Sequence, residues 1–175
     1  MKTVYKVLQT MMFVSLIAFV ITGCGKVKDA ANEIINDDDD DDEEFVDLGL
    51  PSGTLWGYAN EADYYTYEEA VDAFGDWLPT MDQFYELIEE CDWEWDEDGY
   101  YVTGPNGNYI FLEAEGKLDY EGHLTSYGVM GFYWSSTEKN DNYSYHLQFS
   151  GGALSEDYTV THSMNINQLS VRLVQ

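Results

Sequence analysis

Asp37 to Asp42, with Glu43 and Glu44 behind them, set eight acidic side chains in a row. Such a run repels itself and has nothing to bury, so it reads as an extended, disordered spacer. Whatever this chain folds must be built on one side of it. The chain has 175 residues, which leaves room for one domain plus extensions. Its formal net charge is −27, and beyond residue 44 the cations are Lys117, Lys139 and Arg172. Nucleic-acid binding needs clustered cations that displace counterions, so that class is set aside. The same acid excess repels anionic lipid and works against compaction. Fifteen Tyr and five Trp supply the opposing apolar mass.

The side before the spacer reads as an address. Lys2 and Lys6 make a positive start, and Val7 to Val20 is mostly apolar but short for a membrane span. Ile21-Thr22-Gly23-Cys24 follows and resembles the bacterial lipobox, in which the Cys becomes the lipidated N-terminus. The expectation is a signal peptide over 1–23, then Cys24 and an acidic linker over 24–44. Removing 1–23 takes off two lysines and no acids, so −27 becomes −29. A single acyl chain binds a membrane marginally and several bind stably, so a triacylated Cys24 is a permanent anchor. Acids after a lipidated Cys resemble the export signal of Bacteroides-type surface lipoproteins. That implies an outer-membrane location facing the exterior, with the leaflet left open.

Past the spacer the pattern becomes that of a folded domain, 45–175. Pro51 to Gly53 reads as a turn and Thr54–Tyr58 as a short strand carrying Trp56. Thr66 with Glu69, and Thr80 with Gln83, have the spacing of helix-capping boxes. The first predicted helix turns Ala70, Val71 and Phe74 inward and stops at Gly75; the second turns in Phe84, Leu87, Ile88 and Cys91. Cys91 has no partner Cys and no nearby His in sequence, so it is expected to pack as a small hydrophobe. It shares no context with Cys24, and the pair is no disulfide framework.

From Trp93 the period changes to that of strands. Trp93-Glu94-Trp95, Tyr100–Thr103 and Tyr109–Leu112, separated by Asp96-Glu97-Asp98-Gly99 and Gly104-Pro105-Asn106-Gly107-Asn108, predict an antiparallel meander. Glu94, Asp96, Asp98 and Gly99 also match the opening of an EF-hand loop. Its twelfth place, which needs a bidentate Glu, is Pro105, and the aromatic alternation favours a hairpin. Glu113–Met130 lacks periodicity and is expected to be a long loop of the kind that carries binding. Gly131-Phe132-Tyr133-Trp134-Ser135-Ser136-Thr137 reads as a strand seated in the core, followed by a polar turn over Glu138–Asn142. Tyr143, Tyr145, Leu147 and Phe149 alternate with Ser144, His146 and Gln148, which predicts one wet face. Leu169–Val174 is the expected final strand.

Several of these segments stand in a familiar order. Asp47-Leu48-Gly49-Leu50-Pro51-Ser52-Gly53-Thr54-Leu55-Trp56, Leu78-Pro79-Thr80, Thr103 to Asn108, Ile110-Phe111-Leu112, Tyr133 to Thr137 and Ser170-Val171-Arg172 together resemble the Fibrobacter succinogenes major paralogous domain. The resemblance spans 45–175. It implies an α+β domain of C-type-lectin-like fold, two N-terminal helices followed by antiparallel sheet, with the first and last strands paired. On that basis Thr54–Tyr58 is predicted antiparallel to Leu169–Val174. Arg172 is predicted to hold an inward carboxylate or carbonyl cluster, the usual employment of a guanidinium fork. The chain departs from the family pattern at Trp77, which replaces an Arg, and at Glu113 and Glu115, which replace a Pro and an Ala. The segment between Trp56 and Trp77 is also short.

The function expected from these observations is a lipid-anchored surface module, non-catalytic, that binds or adheres to a glycan or a surface protein. Its candidate ligand residues are Tyr120 and Tyr127, to stack on a sugar face, and Glu138, Asn140, Asp141 and Asn142, to accept hydroxyls or hold calcium. The sugar-binding triplets of true C-type lectins are missing, no resident cofactor is expected, and calcium is left open. A structural subunit of a surface assembly is the alternative. An enzyme like the formylglycine-generating relatives is a remote one, since those depend on cysteine and copper. Here His123, His146 and His162 show no paired metal spacing.

Overall fold

The computed structural model describes residues 45–175; the expected signal peptide, the expected anchor Cys24 and the acidic run lie outside them. Within that span the chain is α+β, with antiparallel sheets dominating two helices. The organising element is β8 (Met130–Asn140), which pairs with β9 (Tyr143–Ser150), itself paired with β10 (Asp157–Met164). Successive side chains of a strand point to opposite faces. Tyr133 therefore enters one apolar cluster, with Trp56, Phe84, Tyr100, Leu147 and Phe149, while Phe132 and Trp134 enter a second, with Tyr67, Ala70, Leu78, Leu169 and Val171. This is why the Phe-Tyr-Trp run shows no alternation: both faces of the strand are covered.

The same geometry corrects the expected wet face of β9. Ser144 and His146 are buried, at 0% and 2% exposure, and Gln148 is half-buried. Phe132 and Trp134 stand beside His146 on that face, and the second cluster seals it. β10 was not legible in the sequence. The polar turn is also shorter than expected: Glu138 and Asn140 belong to β8, and only Asp141 and Asn142 turn the chain.

Both capping boxes are formed. α1 (Tyr67–Phe74) is capped by Thr66 and Glu69, and α2 (Met81–Glu90) by Thr80 and Gln83. α1 ends at Gly75, whose φ of 53° suits a residue without a Cβ. Its inward face is Tyr67 and Ala70 with Phe74 beside them, not Val71, which is 37% exposed. Tyr67 reaches across to donate to the Ser136 carbonyl at 2.8 Å, an anchor that the periodicity of the helix did not reveal.

The meander is present as β3 (Asp92–Asp96), β4 (Gly99–Thr103) and β5 (Tyr109–Glu113). The EF-hand-like acids are hairpin residues: Glu94 and Asp96 lie in β3 opposite Tyr101 and Gly99, and Glu97 turns with φ 51°. Between β5 and β8 the chain makes a small hairpin, β6 (Lys117–Leu118) with β7 (Leu124–Thr125).

Chain closure follows the expected direction with a different extent. β1 (Phe45–Asp47) pairs with β2 (Leu55–Gly57), so the first strand lies upstream of Thr54–Tyr58. The C-terminal segment runs antiparallel to β2 only at its end, where Leu55 and Gln175 exchange backbone hydrogen bonds of 2.9 and 3.0 Å and Gly57 donates to Leu173 at 2.9 Å. Further back, Leu169 pairs with Tyr65 and Ser170 lies parallel to Tyr133. The segment serves three neighbours in turn, so Leu169–Val174 forms isolated bridges and no continuous strand.

Candidate binding surface

The segment 113–130 is fixed from beneath by a polar network around Arg172, a side chain with 0% exposure. Arg172 donates from Nε to Asn60 Oδ1 (2.8 Å), from Nη1 to the carbonyls of Gly57 (2.8 Å) and Tyr58 (2.6 Å), and from Nη2 to the Phe111 carbonyl (2.6 Å) and Glu113 Oε2 (3.1 Å). The expected carboxylate-and-carbonyl cluster is present. Burial pushes the Glu113 carboxyl above its ordinary range, with the Arg172 charge pulling it back. Asn60 then donates to Glu115 Oε2 (2.9 Å) and to the Tyr133 hydroxyl (3.0 Å), Ser170 Oγ donates to the same Glu115 oxygen (2.9 Å), and Tyr133 donates to the Glu113 carbonyl (2.7 Å). Glu113 and Glu115, two of the positions where the sequence departs from the pattern it resembles, are thus the two acids that this network uses.

Above the network, Tyr64 donates to the Glu115 carbonyl at 2.6 Å, and Gly128 N donates to the Ala114 carbonyl at 2.7 Å. Asp119 Oδ1 accepts from the backbone of Glu121 (2.9 Å) and His123 (3.0 Å), which closes the tip of the β6–β7 hairpin. The segment is therefore an ordered structure and not a slack loop. It leaves Tyr120 at 65% and Tyr127 at 66% exposure. Beside Tyr64 lies an open depression of about 600 Å³, lined by Asp63, Tyr64, Tyr65, Glu69, Asp72 and Ala73.

The other candidate ligands are elsewhere. Tyr127 precedes the first residue of β8, whereas Glu138, Asn140, Asp141 and Asn142 are at its far end. Eight residues of strand separate the two groups by roughly 25 Å, so Tyr127 and the four polar residues do not form one site. Asn140 Oδ1 accepts from Asn142 N at 3.0 Å and the Asn142 carbonyl from Asn165 N at 2.9 Å, which is ordinary turn chemistry.

Donor atoms of Asp119, Glu121 and His123 lie within 4.8 Å of one another, a grouping that needed the hairpin to become visible. Asp119 Oδ1 already accepts from two backbone amides and so closes the turn, while calcium takes six to eight oxygens and this group brings only three side chains. Cys91 caps the end of α2, half-buried; burial first, then Asp92, Glu86 and Glu90, push its thiol up to about 11. A thiol so protonated is a poor nucleophile.

Comparison with protein-family models, curated proteins and solved structures returned no match.

Proposed function

We propose that the chain is a lipid-anchored surface protein whose folded part is a non-catalytic binding module of the C-type-lectin-like class. The observation that carries this is the 113–130 segment: a long connection held rigid by Tyr64, Gly128 and the Arg172 network, yet presenting two tyrosines that stay two-thirds exposed. Ordered loops on a rigid scaffold that display aromatic side chains are the usual form of a recognition surface. Tyr120 and Tyr127 each offer a ring face to a sugar, with Glu121 and the acids around Tyr64 as hydroxyl acceptors.

Contacts between the shared motifs support kinship with the major paralogous domain. Asn106 and Asn108 both donate to the Asp47 carbonyl at 2.8 Å; Ser136 N donates to the Pro79 carbonyl at 2.8 Å; Trp134 N donates to the Ser170 carbonyl at 3.1 Å. Segments far apart in sequence thus meet pairwise. The motifs read as a packing signature, so ligand choice falls to the residues between them.

The test is a glycan-array screen of the full chain, with and without chelator, beside Tyr120→Ala and Tyr127→Ala. Chelator-resistant glycan binding lost in either variant supports the module, and chelator-sensitive binding adds calcium to it. Silence of the wild type on every glycan removes the lectin version and leaves the surface-assembly subunit.

A further inference from the structure

The meander β3–β4–β5 shows solvent a face that combines acids with aromatic rings. Cross-strand partners share a face, and the register fixes three rows: Asp92, Thr103 and Tyr109; Glu94, Tyr101 and Phe111; Asp96, Gly99 and Glu113. The opposite face, with Trp93, Tyr100, Val102, Ile110 and Leu112, fills the core. Tyr101 meets Tyr109 edge-on at 5.4 Å and Phe111 at 4.8 Å between ring centroids. Phe111 lies over Gly99, where a Cβ would collide with its ring. Tyr109 is 54% exposed and Tyr101 37%, so these two rings, with half-buried Phe111 packed beside Tyr101, form an aromatic platform open to solvent.

Along its edge run Asp92, Glu94 and Asp96, all exposed, at a spacing of about 6.6 Å. Among the described residues no cation neutralises this row. Arg172 is buried beside β5, where it pairs with Glu113 at 3.1 Å and not with the β3 acids; Lys117 lies over the Phe132 ring at 4.7 Å, and Lys139 contacts His162.

We propose that this face binds an extended, basic peptide segment with Arg or Lys at alternate positions. Two independent features select a cation. Carboxylates attract it by charge, and the faces of Tyr101 and Tyr109 attract it by their quadrupole. The pitch also matches, because alternate side chains of an extended peptide are spaced as the three acids are. In the middle row a guanidinium laid on Tyr101 reaches Glu94. A second copy of this acidic face is repelled. The proposal rests on the domain being a binding module, but not on the Tyr120–Tyr127 surface.

The test titrates the full chain with a synthetic peptide of about twelve residues alternating Arg and Thr, followed by NMR at low salt. Expected are shifts at Asp92–Asp96, Tyr101 and Tyr109, and an affinity that falls as salt rises past roughly 0.15 M. The triple variant Asp92→Asn, Glu94→Gln, Asp96→Asn is expected to weaken binding roughly tenfold, and Tyr101→Leu severalfold. Glu68→Gln, Asp76→Asn, Glu156→Gln removes the same charge from scattered sites and is expected to change little. Equal losses in both triple variants, shifts mapping elsewhere, or no binding would overturn the proposal. So would a neutral oligosaccharide that shifts these residues when the peptide does not. Loss of glycan binding in Tyr120→Ala with the peptide still bound would separate the two surfaces.

Discussion

Arg172 and Asn60 are 112 residues apart in the chain and joined by one hydrogen bond, Nε to Oδ1 at 2.8 Å. Through this bond the C-terminal segment, the β2–α1 connection and Glu115 become one assembly. Arg172→Ala leaves three backbone carbonyls, the Asn60 side-chain oxygen and the Glu113 carboxylate without their shared donor. The expected loss is about 3–5 kcal/mol of stability by chemical denaturation. Arg172→Lys keeps the charge but cannot fork, and is expected to recover less than half of that loss. A full recovery by Lys would show that charge alone matters here.

His146 predicts an acid-sensitive fold. It lies between Phe132 and Trp134 with neither ring nitrogen hydrogen-bonded in the protein, and burial first, then the Lys117 and His162 charges, lower its pKa to about 3. The unfolded imidazole titrates near 6.5. Between these values the unfolded chain binds the extra proton, so stability is whole above 6.5 and falls as the pH drops toward 3. The contribution is on the order of 4 kcal/mol. The measurement is urea unfolding from pH 7 to 4, wild type against His146→Leu, with the variant losing less over that range. Parallel pH curves would contradict the assignment.

The capping boxes are expected to matter modestly and equally. Thr66→Ala and Thr80→Ala each remove the hydroxyl that accepts from the third helical residue, at 3.3 and 3.2 Å. Each is expected to cost about 1 kcal/mol in thermal unfolding. Thr80→Ser, which keeps the oxygen, is expected to cost much less.

Cys91 should resist alkylation. With its thiol pushed up to about 11, iodoacetamide at pH 8 is expected to label this residue slowly, with the rate climbing through pH 10. Peptide mass mapping reads the site directly. Rapid labelling at neutral pH would mark an activated thiol and reopen the enzyme alternative.

The parts legible in the sequence were those where one local rule decided the outcome. Thr66/Glu69 and Thr80/Gln83 announced two helices, and alternating aromatics with turn residues announced the meander. Arg172, the lone arginine on an apolar segment, was as compatible with a solvated side chain as with the buried cluster it forms, and the five acceptors around it come from segments far away in the chain. The misses came where a neighbour decided. Ser144 and His146 alternate as a solvent face should, but β8 sets Phe132 and Trp134 beside them and the second core closes over. Val71 is left 37% exposed, while Tyr67 is buried and donates its hydroxyl to the Ser136 carbonyl, a contact that helical periodicity does not encode. For the candidate surface, Tyr120 and Tyr127 were visible as aromatics in a Gly-rich stretch, whereas Asn60 and Tyr64, which hold that stretch in place, sit in a segment with no motif. Glu138–Asn142 looked like part of the same site because sequence proximity hides the length of an extended strand.

The direct test of this architecture is amide hydrogen exchange at Leu55, Gly57 and Gln175, whose N–H groups tie β2 to the C-terminus. They are predicted to exchange as slowly as Trp134 N–H in the middle of β8, through global unfolding alone, and to speed up in Arg172→Ala. Exchange within seconds in the wild-type protein, as for a frayed terminus, would contradict a domain closed by its own C-terminal segment.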